Sequence, residues 1–134
     1  MNSRATALFT ALFIASVAFA ENINLLWRFG FAQATVTYQH EGRWKKIKVL
    51  SDPTSYCVYQ SGHKEALLRE FEETVSSNYS RYSGVRVSGV YFNPAVSQQE
   101  APNAYARAMQ WKDGYDDVIS NGFVNTAYVA KCGN

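Results

Sequence analysis

Residues 33–50 carry the pattern that most restricts the fold: two alternating runs joined by a glycine-containing turn. In 33–39, Ala34, Val36 and Tyr38 alternate with Thr35 and Thr37, the period-two signature of a half-buried strand. His40-Glu41-Gly42 supplies the turn and 43–50 the return strand. A hairpin of this kind has an apolar face that another element must cover. Residues 64–79 supply one: Leu67, Leu68, Phe71, Val75 and Tyr79 recur at helical spacing, while Glu65, Arg69, Glu72 and Glu73 occupy the other side.

The remaining segments extend this plan. Asp52-Pro53-Thr54 interrupts the return strand, and 56–59 fit a short third strand that carries Cys57 into the sheet. Residues 85–92 alternate again, with Gly89 at a candidate bulge. Ser97 and Glu100 have capping-box spacing, Pro102 suits a first helical turn, and Tyr105, Ala108, Met109 and Lys112 give a second helix that should stop at Asp113-Gly114. Asn121-Gly122 between 115–120 and 123–131 is the strongest hairpin signal in the chain. Residues 22–31 fit an opening strand or a short apolar helix alike. The expectation is a single α+β domain, with a mainly antiparallel sheet and two helices packed on it.

Ahead of this domain, 1–4 are short and basic, 5–17 are almost wholly apolar, and Ala18-Phe19-Ala20 forms an A-x-A cleavage site before Glu21. That order is expected of a cleavable signal peptide over residues 1–20, with 21–134 as the exported domain; the apolar run is short for a membrane anchor. The location expected is extracellular or periplasmic, with no membrane insertion after cleavage. Removal of Arg4 with the leader leaves 12 Lys and Arg against 11 Asp and Glu, too even a balance for bulk charge to assign a nucleic-acid or membrane partner.

Export also bears on the two cysteines, Cys57 and Cys132. An oxidising compartment lets them pair, and the bridge would close a loop of about 75 residues and stabilise the fold by roughly 4 kcal/mol. Their spacing matches neither a zinc site nor a C-x-x-C redox pair. No metal or cofactor is expected, and the sequence contains no G-x-S-x-G, H-E-x-x-H or P-loop string. The acidic groups Glu70, Glu72, Glu73 and Asp113, Asp116, Asp117 read as a wet helix face and a turn flank, without the glycine and terminal glutamate of a calcium loop.

Two features could carry function. The two histidines, His40 and His63, would supply the base and acid of RNA cleavage if the fold brought them together. Arg43, Trp44, Lys46 and Lys48 form the densest basic segment, and on a strand Trp44, Lys46 and Lys48 share one face, an arrangement that can stack bases and contact phosphates. An edge strand guarded by lysine accounts for the same residues. Nine tyrosines and three tryptophans are the ring types that dominate protein interfaces. Asn78-Tyr79-Ser80 is a glycosylation sequon, meaningful in a eukaryote.

Tyr56-Cys57, the helix from Lys64, the segment 116–122 and Cys132 are similar in order to the small secreted fungal ribonucleases and the ribonuclease-like effectors of plant-pathogenic fungi. The enzymes' ordered His, Glu, Arg, His set cannot be placed here, and the hairpin over 33–50 has no counterpart, so the resemblance implies a binding relative without the catalytic set. The leading expectation is a non-enzymatic exported protein that binds another macromolecule, as effectors, inhibitors and immunity proteins do. A protein partner is expected ahead of RNA, and a ribonuclease-like protein is the alternative.

Overall fold

The computed structural model describes residues 26–122; the leader, the expected strand over 123–131 and Cys132 lie outside them. The elements run β1 (Trp27–His40), β2 (Arg43–Leu50), β3 (Thr54–Cys57), α1 (His63–Asn78), β4 (Ser83–Pro94), α2 (Ala101–Gln110) and β5 (Asp117–Ser120). The fold is α+β, with a mostly antiparallel five-stranded sheet.

β1 organises the sheet. It pairs with β2 from Gln33↔Leu50 to His40↔Arg43, so the connection is a two-residue turn of Glu41 (φ 52°) and Gly42 (φ 76°), tighter than the three-residue turn expected. Both residues in the left-handed region make the type I′ geometry whose twist matches a hairpin. β1 then continues back to Trp27, where β3 pairs with it from Gly30↔Thr54 to Trp27↔Cys57. Between Gln33↔Leu50 and Gly30↔Thr54, three steps on β1 face four on the partner, so β2 and β3 are one strand interrupted by a bulge at Pro53. Ser51 closes that bulge: its hydroxyl accepts the Ala32 N–H at 2.8 Å and donates to the Asp52 carbonyl at 3.0 Å.

β4 takes the opposite edge of β1, from Gly30↔Pro94 to Gln39↔Ser83, with register shifts between Gln33 and Thr35 and between Thr37 and Gln39. Each shift coincides with a glycine at positive φ, Gly89 (59°) and Gly84 (65°), so the bulge expected at Gly89 is present and a second accompanies it. β5 pairs with β2 in parallel, Ile47↔Asp117 to Leu50↔Ser120. The first arm of the expected terminal hairpin is thus an added parallel strand, and its second arm lies outside the described residues.

The helices cover opposite faces. α1 lays Leu67, Phe71 and Val75 on Ala32, Ala34, Val36, Ile47, Val49 and Phe92; the alanines under the helix leave room for the Phe71 ring, which is fully buried. α2 covers one end of the other face, where Phe31, Leu50 and Val118 meet Ala104, Tyr105, Ala108 and Met109. The Ser97 hydroxyl accepts the Glu100 N–H at 3.2 Å, one half of the expected capping box. α2 ends at Gln110, earlier than expected, and Lys112 beyond it pairs with Asp117 at 3.7 Å.

Candidate functional site

Because α2 covers only one end of its face, the other end is open among the described residues. Cross-strand partners share a face, so the register lays out four rows across β4, β1 and β2: Ser83, Gln39, Trp44; Arg86, Thr37, Lys46; Ser88, Thr35, Lys48; and Tyr91, Gln33, Leu50. Two rows thus place a threonine on β1 beside a lysine on β2, and Arg86 stands two strand spacings, about 10 Å, from the Lys46 backbone. Rings stand at both ends, Trp44 63% and Tyr91 47% exposed.

Gly84 seats Trp44. A Cβ there would come within 3.1 Å of Trp44 Cη2, so the indole crosses β1 toward β4 and keeps its outer surface in water. Tyr115, just before β5, overhangs the lysines: Lys46 Nζ is 4.9 Å and Lys48 Nζ 5.3 Å from its ring centroid. Its hydroxyl lies 3.1 Å from Thr35 Oγ1. Tyr115 is held there because Asp116 clamps Lys46, accepting its N–H on Oδ2 and donating its own N–H to the Lys46 carbonyl, both at 2.7 Å. Burial first, and Tyr115 second, raise the Tyr91 phenol above its ordinary range, so this ring is neutral at physiological pH. Lys48 is 8% exposed, and among the described residues neither it nor Lys46 forms an ion pair. The face is therefore cationic, ringed by aromatics and threaded by hydroxyls, able to hold an anionic ligand against stacked rings.

The structure brings Trp44, Lys46 and Lys48 together as the alternation predicts. Arg43 falls on the other side: strand parity puts it with Ile47 and Val49, toward the α1 face at the hairpin end. Tyr115, Tyr91 and Arg86 escape sequence reasoning because separate elements deliver them; the one local signal is the aromatic-acidic Tyr115-Asp116 after the Gly114 turn.

The histidines do not meet. His40 ends β1, exposed, 3.8 Å from Glu41 and edge-on to Tyr82. His63 opens α1 at the far end of the sheet, edge-on to Trp27 at 6.1 Å. The 14 residues of β1, rising ~3.3 Å each, separate those ends by about 40 Å. His63 is buried and its Nδ1 accepts the Cys57 N–H at 2.9 Å; burial lowers its pKa, so the ring is neutral, with its proton on Nε2. Cys57 is buried at the end of β3, and its expected bridge partner lies outside the described residues.

The acidic residues hold local structure: Asp116 clamps Lys46, and Asp117 accepts the Val118 N–H at 2.9 Å. Among the described residues no three His, Cys, Asp or Glu side chains gather as a metal site, and no helix there is long and apolar enough to cross a membrane. Asn78 of the sequon is exposed at the end of α1, its Nδ2 donating to Asn121 Oδ1 at 2.7 Å. No family model matches this chain, and no curated protein or solved structure matches it either.

Proposed function

We propose that this chain is an exported, non-enzymatic binding protein, of the kind that acts as an effector, inhibitor or immunity protein, and that its partner docks on the open half of the sheet. One observation carries the reading: Trp44, Lys46, Lys48, Tyr115, Tyr91 and Arg86, drawn from two strands and a loop, converge on one face left uncovered among the described residues. Rings flanking cations, one of them the buried Lys48, suit an interface hot spot, and the partner they complement is an acidic protein surface. In this reading the leader over 1–20 directs the chain to the cell exterior or periplasm, where a Cys57–Cys132 bridge staples the domain. The separation of His40 from His63 supports a binding role over acid–base chemistry by that pair.

The alternation of rings with cations favours one second reading, a single strand of RNA on the same face. Affinity capture separates the two. The mature, oxidised protein should retain a specific partner that the Trp44→Ala/Lys46→Ala/Tyr115→Ala variant loses. Loss of a hot-spot ring alone should weaken binding by about 30-fold. Nuclease treatment abolishes capture if the partner is RNA and spares it if the partner is protein. Equal capture by wild type and variant refutes the assignment of the face.

A further inference from the structure

On the opposite, α1 side of the sheet, a second group of aromatics surrounds a cavity of about 300 Å³ lined by Tyr38, Tyr79, Tyr82, Arg81, Asn78 and Asn121, with Ile119 among its apolar walls. Tyr38 projects from β1, Tyr79 caps α1, and Tyr82 precedes β4. Their ring centroids lie 4.4 Å (Tyr38–Tyr82), 5.7 Å (Tyr38–Tyr79) and 6.1 Å (Tyr79–Tyr82) apart, with planes inclined by only 31–37°. Three rings at near-common tilt in a triangle make an aromatic wall, whereas the other ring pairs among the described residues meet edge to face at 78–87°.

The polar groups stand at the mouth. Arg81 donates to the Tyr82 hydroxyl at 3.0 Å and lies 4.9 Å from that ring's centroid, which fixes its planar fork beside the wall. Asn78 and Asn121 share one hydrogen bond; that leaves the Asn78 carbonyl oxygen, its second N–H and both N–H groups of Asn121 to face a ligand. Burial, and then neighbouring groups, keep the Tyr38 and Tyr79 phenols above their ordinary pKa, so both remain protonated donors.

We propose that this cavity is a saccharide-binding site. An apolar guest would leave two amides and a guanidinium unmatched. An organic cation, the usual guest of a tyrosine cage, would meet Arg81 with no carboxylate in the lining. A sugar satisfies all three components: its C–H faces, carrying partial positive charge, lie on the negative ring faces, and its adjacent hydroxyls, each donor and acceptor, match the amides and the guanidinium fork. The volume stands at the lower end of ligand sites, ~300–1,000 Å³, which fits a single sugar ring and not a buried oligosaccharide. The site lies on the other side of the sheet from the Trp44 face, so it stands independently of the proposed function.

Protein with isotopically labelled tyrosine rings is titrated by NMR with methyl glucoside, N-acetylglucosamine, galacturonic acid and, separately, inorganic phosphate. At least one sugar should give saturable shifts at Tyr38, Tyr79 and Tyr82. Arg81 is fully exposed, so Arg81→Ala leaves the fold intact, and it should weaken that binding about tenfold or more, the value of a hydrogen bond to a charged donor. Asn121→Ala should weaken it as well, while Trp44→Ala should not. Three outcomes overturn the proposal: no saturable shift with any sugar, shifts unchanged in both Arg81→Ala and Asn121→Ala, or shifts with phosphate and with none of the sugars.

Discussion

Gly30→Ala puts the central register of the sheet to the test. Gly30 is the one residue of β1 that faces Thr54 of β3 on one edge and Pro94 of β4 on the other. Its φ is not positive, so alanine carries no conformational strain there, and the effect is purely steric. The added Cβ would fall inside the van der Waals envelope of the Asn93 carbonyl oxygen and 2.8 Å from Phe92 Cε1. A flexible side chain could swing away, but a backbone carbonyl in a paired strand cannot move without opening the β1–β4 ladder beside it. Overpacking costs typically ~1–3 kcal/mol where neighbours relax. Here the obstacle is backbone, and loss of the adjoining pairs brings the expected cost to about 3 kcal/mol or more, a large share of the ~5–15 kcal/mol typical of a domain. Gly42→Ala is the control: its φ of 76° imposes left-handed strain, but nothing lies within 4 Å of a Cβ there, so its cost should be about 1 kcal/mol. Urea unfolding read by tryptophan fluorescence gives both midpoints. A Gly30→Ala protein as stable as Gly42→Ala would refute the register, and with it the row layout of the open face.

Other perturbations have equally definite outcomes. Phe71→Ala empties the centre of the α1 layer and should cost ~3–5 kcal/mol by urea unfolding. Ser51→Ala leaves the buried Ala32 N–H without its acceptor, for about 1–3 kcal/mol. Because burial lowers the His63 pKa in the fold, the unfolded chain takes up a proton first as pH falls below 6.5. Stability is then fully present above that pH and declines below it, by up to ~1.4 kcal/mol per pH unit until the folded ring protonates too. His63→Asn, which keeps an acceptor for Cys57, should flatten that slope below about pH 6.5 in the same unfolding assay. Gly84→Ala should displace the Trp44 indole and change its fluorescence, weakening partner capture without removing any contacting group.

How far the sequence anticipates the structure depends on how local each signal is. β2 and α1 are legible almost to the residue because their apolar positions repeat at one period. The segment from Trp27 to Phe31 is not, since aromatic and apolar residues crowd both sides of β1 where β3 and β4 flank it, and a continuous apolar run has no period to read. The parallel pairing of β5 is set by Asp116 on Lys46, 70 residues apart, which no local pattern encodes. The open face divides the same way: Trp44, Lys46 and Lys48 follow from alternation on one strand, while Tyr91, Arg86 and Tyr115 join them through register and a clamp. The tyrosine wall is assembled from β1, the end of α1 and the turn after it, so only Tyr79 and Tyr82, three apart, hint at it.

The two glycine bulges of β4 also bear on how this chain keeps to itself. Among the described strands β4 pairs with β1 alone, and the backbone donors and acceptors on the second side of a strand are what a second copy could add to. Twelve residues of regular strand would be a long template for such stacking. Gly84 and Gly89 break it into short stretches and twist each out of line with the next, the means by which natural sheets discourage edge-to-edge growth. The same bend that seats Trp44 thus works against growth of the sheet along that edge.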